Sequence, residues 1–282
     1  MSQPDPLVTD PPYDAEPVAR TPAVTFDSGG ATLLGVFHVP AGPGPHPVVI
    51  LLHGFPGNER NFDLAQTLRR AGYAALVCHY RGSWGVGGSW SWRHVLEDAA
   101  CIVTGVRDRE FAAAQRLDAM RLAVIGHSLG GFAALMTAAA DQSVTAVAAV
   151  ASFDFGAIAA LCSDDPALQS AYVEAFGDDL LALTGTSGDA LVAEMLAAGP
   201  AWSLVRLAPQ LADRPVLLIG GSRDTVTPLA VHYQPVVDAY RSHPVGHLEH
   251  HVFPTDHVLS DHRVALARTV LAFLDRHVRH AR

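Results

Sequence analysis

RLAVIGHSLGGFAALMTAAA, residues 121–140, joins a short apolar run, a Gly-x-Ser-x-Gly turn and an Ala/Leu-rich helical stretch without a break. The pentapeptide alone arises by chance in glycine-rich turns, so its setting decides its meaning. Here Gly126-His127-Ser128-Leu129-Gly130 links an expected strand to an expected helix. A serine on so sharp a turn takes a strained backbone that lifts its hydroxyl clear of the sheet, and flanking glycines remove side chains that would collide with strand and helix. The helix that starts at the turn aims its first amides and positive dipole end at the same point. Ser128 is therefore the candidate nucleophile.

Outward from this unit, the same alternation continues. Apolar runs read as strands at 46–54, 73–80, 121–128, 144–153, 214–222 and 248–254, with helical stretches between most of them: NFDLAQTLRRAG, WRHVLEDAACIVTGVRDREFA, GGFAALMTAAA, PLAVHYQPVVDAYRSH and HRVALARTVLAFLDRHVRH. The pattern predicts an α/β fold with a mostly parallel central sheet flanked by helices on both faces. AVTFDSGGATLLGVFHVP, residues 23–40, reads as a hairpin turning at Asp27-Ser28-Gly29-Gly30. Residues 156–212 hold helical patches and no convincing strand, which predicts a helical lid over the carboxyl edge of the sheet. Residues 1–22, rich in Pro and Asp, read as an extended or disordered arm, leaving 23–282 as one domain.

Three further positions fall where Ser128 would need them. His53-Gly54-Phe55-Pro56-Gly57 follows the run VVILL, and the amides of Phe55 and Leu129 are the expected pair of oxyanion donors. His53 itself reads as a hydrogen-bonded support for that loop. Asp224, just past PVLLIGGSR, can accept from a histidine Nδ1 and so leave Nε2 free as a base; Asp154, after the preceding strand, competes with it. His257 lies between the last strand and the last helix, whereas His250 and His251 fall inside that strand and His262 at the helix start.

The loop leaving the strand at 73–80, Tyr80-Arg81-Gly82-Ser83-Trp84 and onward to Trp92, carries three tryptophans that form either an aromatic substrate wall or packing. Trp84 is the expected substrate contact among them, and Arg81 a structural tie. Phe153 and Phe155, with the helical insertion, are expected to roof the pocket over an uncharged acyl group of small to medium size.

Composition narrows the partners. Hydrophobic residues make up 49% and charged residues 17% of 282, and the net charge of −9 disfavours nucleic acid and anionic membranes. No apolar window approaches the roughly 20 residues of a membrane span. Cys78, Cys101 and Cys162 are too few and too scattered for a disulfide framework, and Cys78 and Cys101 read as buried thiols. A cytoplasmic location is the expectation. Despite 15 histidines there is no His-Glu-x-x-His or similar ligand spacing, so no metal is expected.

On HGFPG (53–57), YRGSWG (80–85), GHSLGG (126–131), GGSRD (220–224) and TDH (255–257), the chain resembles the α/β-hydrolase superfamily. It is most similar there to small serine esterases and to dienelactone-hydrolase-like or prolyl-oligopeptidase-like catalytic domains. The likeness runs over residues 23–280. Residue 128 is Ser where dienelactone hydrolases have Cys, and no propeller precedes the sheet. The resemblance implies a serine esterase acting through an acyl-enzyme on Ser128, with His257 as general base, Asp224 orienting it, a small-molecule ester as substrate and no cofactor. Amide or peptide hydrolysis, cofactor-free haloperoxidase or acyltransferase chemistry, and a receptor-like binding role stay open, as does a homodimer.

Overall fold

In a computed structural model, residues 5–11, 15–243 and 245–279 are described. The strands are β1 (Ala23–Ser28), β2 (Ala31–His38), β3 (His46–Leu52), β4 (Ala74–Cys78), β5 (Leu117–His127), β6 (Ala146–Val150), β7 (Pro215–Gly221) and β8 (His247–Phe253). They form one sheet in the order β1-β2-β4-β3-β5-β6-β7-β8. The β1–β2 and β2–β4 pairs are antiparallel, and every pair from β4–β3 to β7–β8 is parallel.

Alternation along the inner strands explains why both faces are covered. Val48, Ile50 and Leu52 of β3 face one core, with Leu122, Val124, Val216 and Leu218. Val49 and Leu51 face the other, with Ala123, Ile125, Leu217 and Ile219. A strand buried on both sides cannot alternate in polarity, and β3 is apolar after its first residue for that reason. Each such aliphatic side chain contributes about 1.5–3 kcal/mol on burial.

The second core is closed by α1 (Phe62–Arg70) and, at the chain's end, a long helix from Arg263 to His277. The first is closed by α2 (Trp92–Val106), α3 (Arg109–Gln115), α4 (Leu129–Ala140) and the elements beyond. The insertion consists of α5 (Phe155–Ser163), α6 (Pro166–Asp178), α7 (Gly188–Ala198) and two 3₁₀ turns, Gly199–Trp202 and Leu204–Leu211. After β7 come α8 (Leu229–His232) and α9 (Gln234–Ser242), so the closing helix is α10.

Several expectations change in detail. The stretch from Trp92 is two helices, because the Asp108 side chain accepts from the Phe111 amide and caps a new start. The stretch from Pro228 is also two helices, broken at Tyr233 just before Pro235, which has no N–H to donate. The hairpin turn is shorter than expected: Asp27 and Ser28 pair within the sheet, leaving only Gly29-Gly30 between strands. Strand β8, at the sheet's edge, is half-exposed along most of its length. Cys101 is half-buried, its thiol donating to the Asp27 carbonyl, while Cys78 and Cys162 are buried.

The described part of the N-terminal arm begins with a turn, in which the Val8 and Thr9 amides donate to the Asp5 carbonyl, and it contacts the body where Arg20 pairs with Val39 and the Arg70 guanidinium donates to the Pro6 carbonyl. Residues 1–4 and 12–14 of that arm, and 244 and 280–282 of the domain, lie outside the described residues. Among the described residues, no single helix is long and apolar enough to cross a membrane.

Candidate active site

Strands β3, β5, β7 and β8 end on the same edge of the sheet, and each delivers one element of the site. Ser128 follows β5 with φ 58° and ψ −121°, a backbone conformation that costs an L residue about 1–3 kcal/mol and persists only where its surroundings enforce it. They do so through hydrogen bonds on both sides: its amide donates to Val150 of β6, and its carbonyl accepts from Gly131, Phe132 and Phe153. The flanking glycines are needed for contact. A Cβ on Gly126 would stand 1.8 Å from the Gly130 carbonyl oxygen, and one on Gly130 would stand 2.0 Å from that of Leu52.

Asp224 follows β7 and is buried. Its Oδ1 accepts from the amides of Val226 and Thr227 at 2.8 and 2.9 Å, while its Oδ2 takes the Thr227 hydroxyl and His257 Nδ1 at 2.7 Å. Burial pushes the carboxyl upward, but the donors from His257 and Thr227 outweigh it and hold its pKa down to about 2. A carboxylate can only accept, so His257 carries its proton on Nδ1 and keeps a lone pair on Nε2. His257 lies in the turn after β8, near Ser128 on the wall of one shared cavity. The ring's hydrogen-bond partners are Asp224 and Thr227; among the described residues none joins it to Ser128 Oγ.

Asp154, the competing acid, is turned elsewhere. Its carboxylate caps α5 through the Ala157 amide and reaches the Leu204 amide, pinning the insertion's two ends together. His53 is buried, bonded through Nδ1 to the Gly54 carbonyl and packed at a tilt against Tyr80, and desolvation lowers its pKa to about 3. That ring is a structural support, as its position suggested. Arg81 is likewise a tie, holding Asp98 and Glu97.

The cavity measures about 470 Å³. Phe55, from the loop after β3, and Leu129, the first residue of α4, both line it beside Ser128. The Leu129 amide is among those a helix N-terminus leaves without an intrahelical acceptor, and the Phe55 amide has no acceptor among the described residues. Phe153 and Phe155 line the cavity, joined by Trp92 and by Tyr172 and Phe176 of the insertion. The rings interlock at centroid distances of 4.7 Å for Phe153–Phe155, 4.9 Å for Trp92–Phe155 and 5.2 Å for Trp92–Phe176.

The expectation for Trp84 is not met. Its indole N–H donates to the Pro56 carbonyl and its ring lies under the Arg60 guanidinium, outside the cavity wall. Trp90 packs on Tyr80, so of the three loop tryptophans only Trp92 borders the cavity. The sequence pointed to the loop but had no signal for Tyr172 or Phe176, whose faces depend on how α6 packs. Together, a raised hydroxyl, an imidazole with a free Nε2, a fixed carboxylate and two amides can move a proton from serine and stabilise an oxyanion. No group of three or more His, Cys, Asp or Glu side chains that could hold a metal ion occurs among the described residues.

Comparison with known proteins agrees with this architecture. An esterase of Pyrococcus furiosus superposes with a TM-score of 0.65 at 17% identity, covering 96% of this chain and 98% of that one. Est1E from Butyrivibrio proteoclasticus, solved with ferulic acid bound, gives 0.69 at 19% identity over 91% and 99%. An acylaminoacyl peptidase of Pyrococcus horikoshii gives 0.67 at 16% identity, covering 95% of this chain but 43% of that protein. These likenesses speak for the fold. An uncharacterized 31.7 kDa Escherichia coli protein from the traX-finO intergenic region is 33% identical over 126 residues, and the match spans 42% of that relative's length. The model of the alpha/beta hydrolase family matches residues 49–269, and the chain belongs to that family.

Proposed function

We propose that the protein is a serine esterase that cleaves carboxylic esters through an acyl-enzyme on Ser128. His257 Nε2 takes the hydroxyl proton as Ser128 Oγ attacks the ester carbonyl, and Asp224 stabilises the imidazolium. The amides of Phe55 and Leu129 receive the oxyanion. His257 then protonates the leaving alcohol, and water, activated by the same ring, releases the acid. The observation that carries this reading is the 2.7 Å contact of His257 Nδ1 with Asp224 Oδ2 in a turn that shares a cavity with Ser128 on its strained elbow.

The cavity's aromatic lining favours an apolar acyl group, larger than the small to medium one expected from sequence, and its wall, which holds Glu59 and Asp179 but neither arginine nor lysine, disfavours an anionic one. A small-molecule ester and a cytoplasmic setting, in keeping with the three free cysteines, belong to the same reading.

Hydrolysis of a p-nitrophenyl ester series, from acetate to long and aromatic acyl groups, by wild type and Ser128→Ala tests it. Turnover by wild type that Ser128→Ala loses supports the esterase. Equal activity in both would remove Ser128 from the chemistry, and inactivity of both would move peptide hydrolysis or ligand binding ahead.

A further inference from the structure

His127, the residue before the elbow serine, is buried at 5% exposure and borders the cavity, yet the proposed reaction leaves it without a task. Its Nε2 stands 2.8 Å from the main-chain carbonyl oxygen of His257, and the two rings lie 4.8 Å apart. A carbonyl only accepts, so Nε2 carries the proton and donates, and Nδ1 is left as a bare lone pair. That Nδ1 is buried and has no partner.

The turn that carries His257 has neither helix nor strand hydrogen bonding; it is braced internally by Ser260 on Asp256 and Thr255 on Asp261, and from the β7 edge by the Arg223 amide on the Thr255 carbonyl. Leu259 is its buried plug, Arg263 binds the Val258 carbonyl, and Asp224 holds the His257 ring. Each of these comes from the turn itself, the helix after it or the β7 edge. The contact from His127 comes from the nucleophile's own strand.

We infer that His127 is a positioning residue that ties the His257 main chain to the Ser128 elbow and so sets the spacing between base and nucleophile. Asp224 orients the ring about one anchor, and His127 fixes the backbone from which the ring hangs. With both in place, neither strand β5 nor the turn after β8 shifts without the other. Burial, with the nearby His257 ring and the Arg263 guanidinium, lowers the His127 pKa to about 3 against the opposing pull of the His257 carbonyl and Asp224, so the ring stays neutral with its single proton on Nε2 and Nδ1 bare. The neighbouring His53 ring is itself held neutral by burial.

The kinetic arm of the test rests on the esterase reading; the spectroscopic arm does not. His127→Phe keeps a flat ring of similar size and removes the donor, while His127→Gln returns an N–H near the Nε2 position. We expect His127→Phe to lower kcat on the best ester by about 10²-fold, with KM unchanged within about threefold. His127→Gln is expected to restore kcat to within about tenfold of wild type. An unimpaired His127→Phe, or equal loss in both variants, would overturn the inference.

Should His127→Phe fail to fold, wild type labelled with ¹⁵N-histidine decides by NMR. The His127 ring is expected as the neutral Nε2–H tautomer from pH 8 down to pH 5, its proton slow to exchange; an Nδ1–H tautomer or an ordinary histidine titration overturns the tether. If wild type cleaves no ester and its Ser128 resists a fluorophosphonate, the esterase reading fails, and the NMR result still decides the tether.

Discussion

Glu194, on α7 of the insertion, accepts from the main-chain amide of Trp92 at 2.9 Å, and its second oxygen accepts from Arg93 at 2.8 Å. A carboxylate from the lid thereby caps the N-terminus of α2, complementing the Ser91 side chain that accepts from His94. Trp92 returns the contact, its indole N–H donating to the Leu191 carbonyl of α7. The lid is thus fastened to the body at the residue that lines the cavity. Glu194→Ala should cost about 1–3 kcal/mol in urea unfolding and raise KM for bulky esters more than it lowers kcat. An unchanged unfolding midpoint would show that the cap carries no weight.

Asp224→Asn leaves the Val226 and Thr227 contacts available but replaces a pure acceptor with a group that can donate to His257 Nδ1. The ring would then hold its proton on Nε2, where the base is needed. A loss in kcat on the order of 10³- to 10⁴-fold, with the circular dichroism spectrum unchanged, is the expected outcome of steady-state kinetics.

Gly130→Ala puts a Cβ 2.0 Å from the Leu52 carbonyl oxygen, a backbone atom that cannot swing aside. Either β3 or α4 must move, so the variant should lose several kcal/mol, roughly the severe end of single substitutions. Expression as soluble protein with a wild-type melting temperature would refute the close-packing argument.

Trp84 and Tyr172 give a direct contrast, since one lies outside the cavity wall and the other on it. Tyr172→Ala should shift the acyl-chain profile toward larger groups and raise KM for the esters wild type prefers. Trp84→Phe should leave that profile unchanged while losing its hydrogen bond to Pro56, a change worth about 1 kcal/mol of stability.

Acid should destabilise the fold earlier than its carboxylates alone would dictate. His53 and His127 are held at about 3, and His79 and His232 at about 4, in each case first by burial. Because these folded pKa values lie below the unfolded value near 6.5, the unfolded chain binds more protons in between. Stability is therefore complete above about pH 6.5 and is lost as pH falls toward 4 and then 3. Asp224, held at about 2, adds a loss only below its ordinary carboxylate range. Thermal melts should fall steeply between pH 6.5 and 4, and replacing His232 with Gln should flatten that slope.

The sequence by itself determined the elements whose cause is local. Apolar runs of strand length, the Gly126-x-Ser128-x-Gly130 turn and the loops after PVLLI and VFP encode short-range sterics and periodicity, so Ser128, Asp224 and His257 stood out as candidates from order and position. It also placed the insertion, because a long gap without strands needs no tertiary knowledge to notice. The tertiary structure alone separates Asp224 from Asp154: both follow parallel strands, but only the first meets the His257 ring, while the second is taken up by the Ala157 and Leu204 amides. It decided that Trp92 and not Trp84 borders the cavity, since a loop's side chains are sorted by what packs behind them. It brought Tyr172, Phe176 and Glu194 to the site from helices whose weak amphipathic patterns do not announce a facing partner. It also set His127 against the His257 carbonyl 130 residues away in sequence. Contacts of that span arise only when the sheet order is fixed, because β5 and β8 are brought together by strands that neither residue belongs to.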